Sequence, residues 1–294
     1  MCVNWLRIMR NSLMASLLAV LLMGCSATRL AYNNAHELAW WWLTDYLEFT
    51  SEQRPAMRQS LVQVHAWHRR QQLPGYAEML ERWQGLMPAS LTAAQVCNLI
   101  DEGVARLEDL AGAVDAMEPA ALQVLASLSP QQLSELERRM TQSNREYREK
   151  YIDVTPRELA AERLKQGLSR ADTLYGSLQA EQKRALQEAL ARSPWDTRAS
   201  YERRLRRQQA VLQTLRSLQG AGSDQVRARL KALIPVAIDG ADAADRAASQ
   251  AFRRAACPVL AELHNSTTPA QRARAVENLQ RYGADLRLLA QAAP

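Results

Sequence analysis

Apolar residues recur along this chain at intervals of three and four. Val96, Leu99, Ile100, Val104, Leu107, Leu110, Val114 and Met117 form one stripe, and Leu133, Leu136, Met140, Tyr147 and Tyr151 form another, with Asn144 interrupting the same face. That period places each set on one side of a 3.6-residue helix, and no useful stretch alternates with the period of two that a half-buried strand requires. The pattern predicts helices over roughly 30–49, 51–71, 75–87, 93–117, 119–127, 130–152, 156–178, 181–192, 196–219, 224–237, 241–263 and 269–290. The expected fold is all-α, an elongated or bundled array of antiparallel helical hairpins.

The helix starts carry their own chemistry. Thr50, Thr92, Ser129, Thr155 and Thr268 are each followed three positions later by Gln or Glu (Gln53, Gln95, Gln132, Glu158, Gln271). In such a capping box the hydroxyl accepts from the third backbone N–H, and the longer side chain reaches back to the cap's own N–H. Pro130, Pro156 and Pro269 directly follow three of these caps, where a missing N–H costs nothing. Pro55, by contrast, is expected to bend or delay the helix that begins after Thr50. The spacing of the caps is too irregular for a solenoid. Asp153-Val154-Thr155-Pro156 is the best candidate for a division, with 25–152 and 153–294 as two helical regions or one continuous domain; Gly220-Ala221-Gly222 is a second break.

The first 24 residues read differently. Arg7 and Arg10 precede an apolar run from Leu13 to Met23, the layout of a secretory signal, and that run is about half of the ~20 residues a bilayer span needs. Leu22-Met23-Gly24-Cys25 resembles a bacterial lipoprotein lipobox. The resemblance implies cleavage before Cys25, with acylation of its sulfur and its new amine. Ser26 in place of the aspartate that retains such proteins at the inner membrane implies the periplasmic face of the outer membrane.

Composition adjusts this picture only slightly. Gly and Pro number 11 each, and Ala, Leu, Arg, Gln and Glu dominate, which is helix-forming usage. There are 37 basic and 31 acidic residues, and Arg7 and Arg10 would leave with the signal, so the mature bias is mildly basic. Nucleic acid is not an expected partner for a chain with this address. Of four cysteines, Cys97 and Cys257 remain for an oxidising compartment, as a long-range disulfide or as two buried thiols.

Three constellations are candidates for chemistry. Trp40-Trp41-Trp42 cannot share one helix face, because consecutive residues differ by about 100°. The segment is either a central helix wrapped by several others or an interfacial helix near a membrane. His65 and His68, one turn apart, provide two ligands of a metal site, with Asp45, Glu48 or Glu52 as possible third ligands; the competing reading has them bracing a helical hairpin. Arg203, Arg204, Arg206 and Arg207 make the densest basic run. With Leu205, Val211 or Leu212 and Leu215 facing a core, they spread over the solvent side as a candidate patch for an anionic envelope component, or as an ordinary solvated face. No G-x-S-x-G elbow, P-loop or G-x-G-x-x-G motif occurs, so no catalytic residue or cofactor is assigned.

Cys25 through Asn34, the Trp-rich stretch through Leu47, Trp67-His68-Arg69-Arg70 with Leu73-Pro74-Gly75-Tyr76, and Asn144-Arg145-Glu146-Tyr147 with Tyr151 resemble an uncharacterised family of proteobacterial outer-membrane lipoproteins. That resemblance implies location and a helical fold, and no activity. The Leu-Ser/Thr-x-x-Gln helix starts are similar to those of steric lipase chaperones, membrane-tethered helical arrays that clasp an exported client, although that family's signature motif is absent. Together these readings lead to an expected lipid-anchored periplasmic binding or scaffolding protein that is not an enzyme. A chaperone for an exported protein and a metal-dependent envelope hydrolase using His65 and His68 stand as alternatives.

Overall fold

The computed structural model describes residues 24–292, so the apolar segment before Gly24 lies outside the described residues, as does the side chain of Cys25. Every regular element among the described residues is helical. In chain order these are α1 (Gly24–Asn33), α2 (Ala35–Tyr46), α3 (Gln53–Trp67), α4 (Leu73–Leu86), α5 (Ala93–Glu108), α6 (Gly112–Asp115) and α7 (Pro119–Ala126). There follow α8 (Pro130–Tyr151), α9 (Pro156–Tyr175), α10 (Ala180–Arg192), α11 (Thr197–Ser217), α12 (Ser223–Asp239), α13 (Ala243–Asn265) and α14 (Pro269–Gln291). Among the described residues no helix is long and apolar enough to cross a membrane.

The caps form as the sequence pattern requires. Thr92, Ser129, Thr155 and Thr268 each make the full reciprocal box with Gln95, Gln132, Glu158 and Gln271. At Thr50 only half forms: Gln53 Oε1 accepts from the Thr50 N–H at 3.1 Å, and α3 begins at Gln53. Pro55 falls in the first turn of α3, where the N–H groups have no partner within the helix, so it does not delay the start. The residue before each hydroxyl cap tends to be driven inward, with Phe49, Leu91, Leu128 and Thr267 all buried. A cap and an inward anchor together set the angle at which each helix enters the array.

Two expected boundaries move. Residues expected as two helices, 51–71 and 75–87, run on as one, because a π-helical turn, His68–Gln72, joins α3 to α4. There the Leu73 N–H reaches back five residues to the His68 carbonyl. The extra residue in this turn lets the ladder resume with Pro74 in the first turn of α4, where its missing N–H is tolerated. The first expected helix, 30–49, instead starts at Gly24, breaks at Asn34 and ends at Tyr46.

Two main cores form. In the first, Trp40, Phe49, Met57, Leu122, Leu128 and Leu133 meet Leu215 and Leu218 of the α11 segment. The second joins Leu91 and Val96 to Tyr175, Cys257, Ala275 and Leu279. Both take side chains from either side of residue 152. α14 packs lengthwise on α4 and touches α1, while α5 packs on α13. Cys97 of α5 and Cys257 of α13 are disulfide-bonded across 160 positions, with Cα atoms 5.2 Å apart.

Candidate functional site

The π-helical turn turns the His68 and Arg69 side chains toward the first helix. Tyr32, near the end of α1, lies against both histidines of α3 and the turn, with ring centroids 4.9 Å from His65 and 5.9 Å from His68. His36 of α2 stacks on His65 at 5.3 Å, and Tyr76 meets His68 edge-on at 5.6 Å. Arg69, only 4% exposed, sits over the Tyr32 ring at 5.4 Å. It donates to Asn33 Oδ1 at 2.9 Å and to the Leu289 carbonyl of α14 at 3.4 Å. Three helices and the turn are thus tied at one junction, and Arg29 of α1 adds an ion pair to Asp285 of α14 at 3.4 Å.

Burial and the Arg69 cation set the protonation of this junction. Desolvation lowers the His65 pKa to about 4, with Arg69, His36 and His68 adding to the shift and a hydrogen bond to the Tyr32 backbone opposing it. Burial also lowers His68 and pushes the Tyr32 phenol up to about 12. Both groups of the 2.8 Å Tyr32–His68 contact are therefore neutral, and the hydroxyl and His68 Nδ1 share one hydrogen bond whose donor is set by the imidazole tautomer. Buried His36 Nδ1, His65 Nε2 and Arg69 Nε have no partner.

For the histidine pair, one imidazole nitrogen is thus committed to Tyr32. The carboxylates considered as further ligands lie elsewhere: Asp45 pairs with Arg139 at 3.4 Å, Glu52 accepts from the Ser51 hydroxyl, and the Glu48 carboxylate acts on Arg138. Among the described residues no group of three His, Cys, Asp or Glu converges as a metal site. The arrangement is suited to fixing α1 against the body.

The tryptophan run divides. Trp40 is buried, stacked on Phe49 at 5.8 Å with Arg58 over its ring at 5.0 Å. Trp41 and Trp42 remain 77% and 60% exposed, and with Thr44 and Asp45 they line a shallow surface hollow. Trp40 thus packs as a core residue, while Trp41 and Trp42 are left at the surface.

The arginine run differs most from expectation. Leu205 is exposed whereas the four arginines are half-buried, the reverse of a core-facing leucine between solvated cations. Aromatic rings and polar side chains account for the reversal. Arg203 lies over Trp195 at 5.5 Å, and Arg204 lies over Tyr147 at 5.3 Å. Arg204 also donates to Asn144 Oδ1 at 2.8 Å and to Ser143 Oγ at 2.9 Å. Arg206 pairs with the buried Asp245 at 2.5 Å, and Arg207 Nε is buried without a partner. The run is a seam between helices: Asn144, which interrupts the apolar stripe of α8, is buried and also donates to Gln208 of α11 at 2.6 Å.

Sequence reasoning did not single out Arg69 or Tyr32, or Asp245. The first two were present in the family-like segments, and the signal was that two such segments, Tyr32-Asn33 and His68-Arg69, share a polar character unexpected for a packing face. Asp245 had no such signal, because one carboxylate in a helix looks like any other.

The fold and this junction define an all-α array of capped helical hairpins. The chain belongs to DUF6279, a family of unknown function, whose profile matches residues 45–234. No curated protein and no solved structure matches.

Proposed function

We propose that this is a binding or scaffolding protein of the bacterial cell envelope, held by acylated Cys25 at the periplasmic face of the outer membrane and acting through contact rather than catalysis. The observation that carries this reading is the way α1 is fastened. Arg29, Tyr32 and Asn33 are bound to Asp285, His68 and Arg69, so the rigid body begins within a few residues of Cys25. A long flexible linker would let a tethered domain roam, whereas this attachment suits a body that stands at the membrane surface. Two or more acyl chains, at about 0.8 kcal/mol per buried CH₂, would hold it there permanently. The partner is expected to be an envelope protein or an anionic envelope component.

Metabolic labelling with palmitate tests the anchor. The wild type should take up label and fractionate with outer membranes, and Cys25→Ala should do neither; equal labelling of the two defeats the proposal. The hydrolase reading would be favoured instead if protein purified without an affinity tag carried about one equivalent of zinc or iron that His65→Gln/His68→Gln lacked.

A further inference from the structure

α2 presents apolar side chains on the wrong side. At 100° per residue, Trp40 and Leu43 point to one side, into the first core, while Leu38, Trp41, Trp42 and Asp45 point to the other. On an ordinary surface helix that outer face would be polar, yet Leu38, Trp41 and Trp42 are 53%, 77% and 60% exposed. Of the two carboxylates there, Asp45 on the face pairs with Arg139 at 3.4 Å and Glu37 at its margin pairs with Arg58 at 3.5 Å, both cations coming from neighbouring helices. The face therefore presents indole and leucine to its surroundings with little net charge.

We infer that the Leu38–Trp41–Trp42 face of α2 lies in the headgroup region of a phospholipid bilayer and sets the orientation of the whole body on the membrane. The inference rests on the anchoring at Cys25 proposed above. Tryptophan favours the boundary between headgroups and acyl chains, since its apolar ring and its N–H are both accommodated there. Position agrees with chemistry: only Asn34 separates α1 from α2, and Trp41 stands within about 24 Å of Cys25 along the helical path. A second copy of the chain is a poorer occupant. Three side chains expose on the order of 400 Å², well short of the ~800 Å² per partner typical of a stable dimer.

The test uses full-length protein purified in detergent and reconstituted into vesicles of phosphatidylethanolamine and phosphatidylglycerol, with and without acyl chains brominated close to the headgroup. Bromine quenches only indoles within contact range. Wild-type emission should drop in the brominated vesicles, and Trp41→Phe/Trp42→Phe, which keeps the face apolar, should reduce that drop at least twofold with an unchanged circular dichroism spectrum. An equal drop in both proteins, or none in the wild type, overturns the inference, as does sedimentation as a dimer with the indoles shielded from bromine. Palmitate labelling of the same preparation reports separately on Cys25. Labelled protein whose quenching ignores the tryptophan pair retains the anchor and loses the face. Unlabelled protein whose quenching depends on the pair does the opposite.

Discussion

Gly240 ends α12 at φ +118°, a conformation that L side chains rarely adopt, and a Cβ there would meet the Asp245 Cβ at 2.3 Å. Gly240→Ala should therefore cost roughly 2–4 kcal/mol in denaturant unfolding, because it strains the backbone and displaces the buried partner of Arg206 together. His65 makes a prediction about pH. An imidazole whose pKa falls from 6.5 to about 4 on folding binds fewer protons in the folded chain than in the unfolded one between those values. Its contribution is fully present above pH 6.5 and is lost as the pH drops through about 4. The stability of His65→Gln should accordingly fall less steeply than the wild type's over that window, by about 1–3 kcal/mol; parallel curves would count against a neutral His65. At this scale the sequence was only partly legible. Which indole of the Trp run faces inward depends on where Phe49 and Arg58 arrive, and the fate of the arginines depends on Trp195, Tyr147 and Asp245 from three other segments.

Between helices, the capping glutamines have a second task. Gln182 and Gln271, at the third positions of α10 and α14, each satisfy their own cap's N–H and also donate to one another at 2.8 and 3.0 Å. Their remaining amide hydrogens reach the Ser266 and Ser177 carbonyls, so two helix starts are locked as a unit. Gln132 joins α8 to the start of α3 in similar fashion, through Gln53 Oε1 at 2.7 Å and the Glu48 carbonyl. Gln182→Ala should destabilise by about 1–3 kcal/mol, since it leaves buried groups unpaired. A double-mutant cycle with Gln271→Ala should give a coupling energy of at least ~0.5 kcal/mol, and strict additivity would show that the two caps act alone. The boxes were legible because capping is local chemistry with fixed spacing. The locking was not, because a box at 179–182 that begins with Gln escapes a search for hydroxyls, and nothing local says which two helix starts will meet. The π-helical turn escaped for a related reason: Pro74 signals a break, and only the tertiary pull on His68 and Arg69 shows how the helix continues past it.

For the molecule as a whole, the Cys97–Cys257 bond closes a loop of 160 positions, and in the chain-entropy view such a bond restricts the unfolded chain by about 3–5 kcal/mol. Cys97→Ser/Cys257→Ser should lower the denaturation midpoint accordingly, with little change in helical signal at rest. A midpoint unmoved by the double substitution or by reductant would contradict this. The helical class was readable from periodicity, whereas the pairing of α4 with α14 and of α5 with α13 was not, since amphipathic stripes of similar width carry no addresses. That pairing has a consequence for how the protein comes into being. Arg69 finds the Leu289 carbonyl 220 positions away, and the face of α4 that holds Leu73 and Ala77 is covered by a helix made long after it. A chain emerging from its amino end therefore cannot complete the helices nearest that end first; they stay open until α14 arrives, and closure over so long a loop is slow. During that interval the half-made molecule offers an apolar groove to proteases and to aggregation, so its survival during biogenesis is a race between closure and loss.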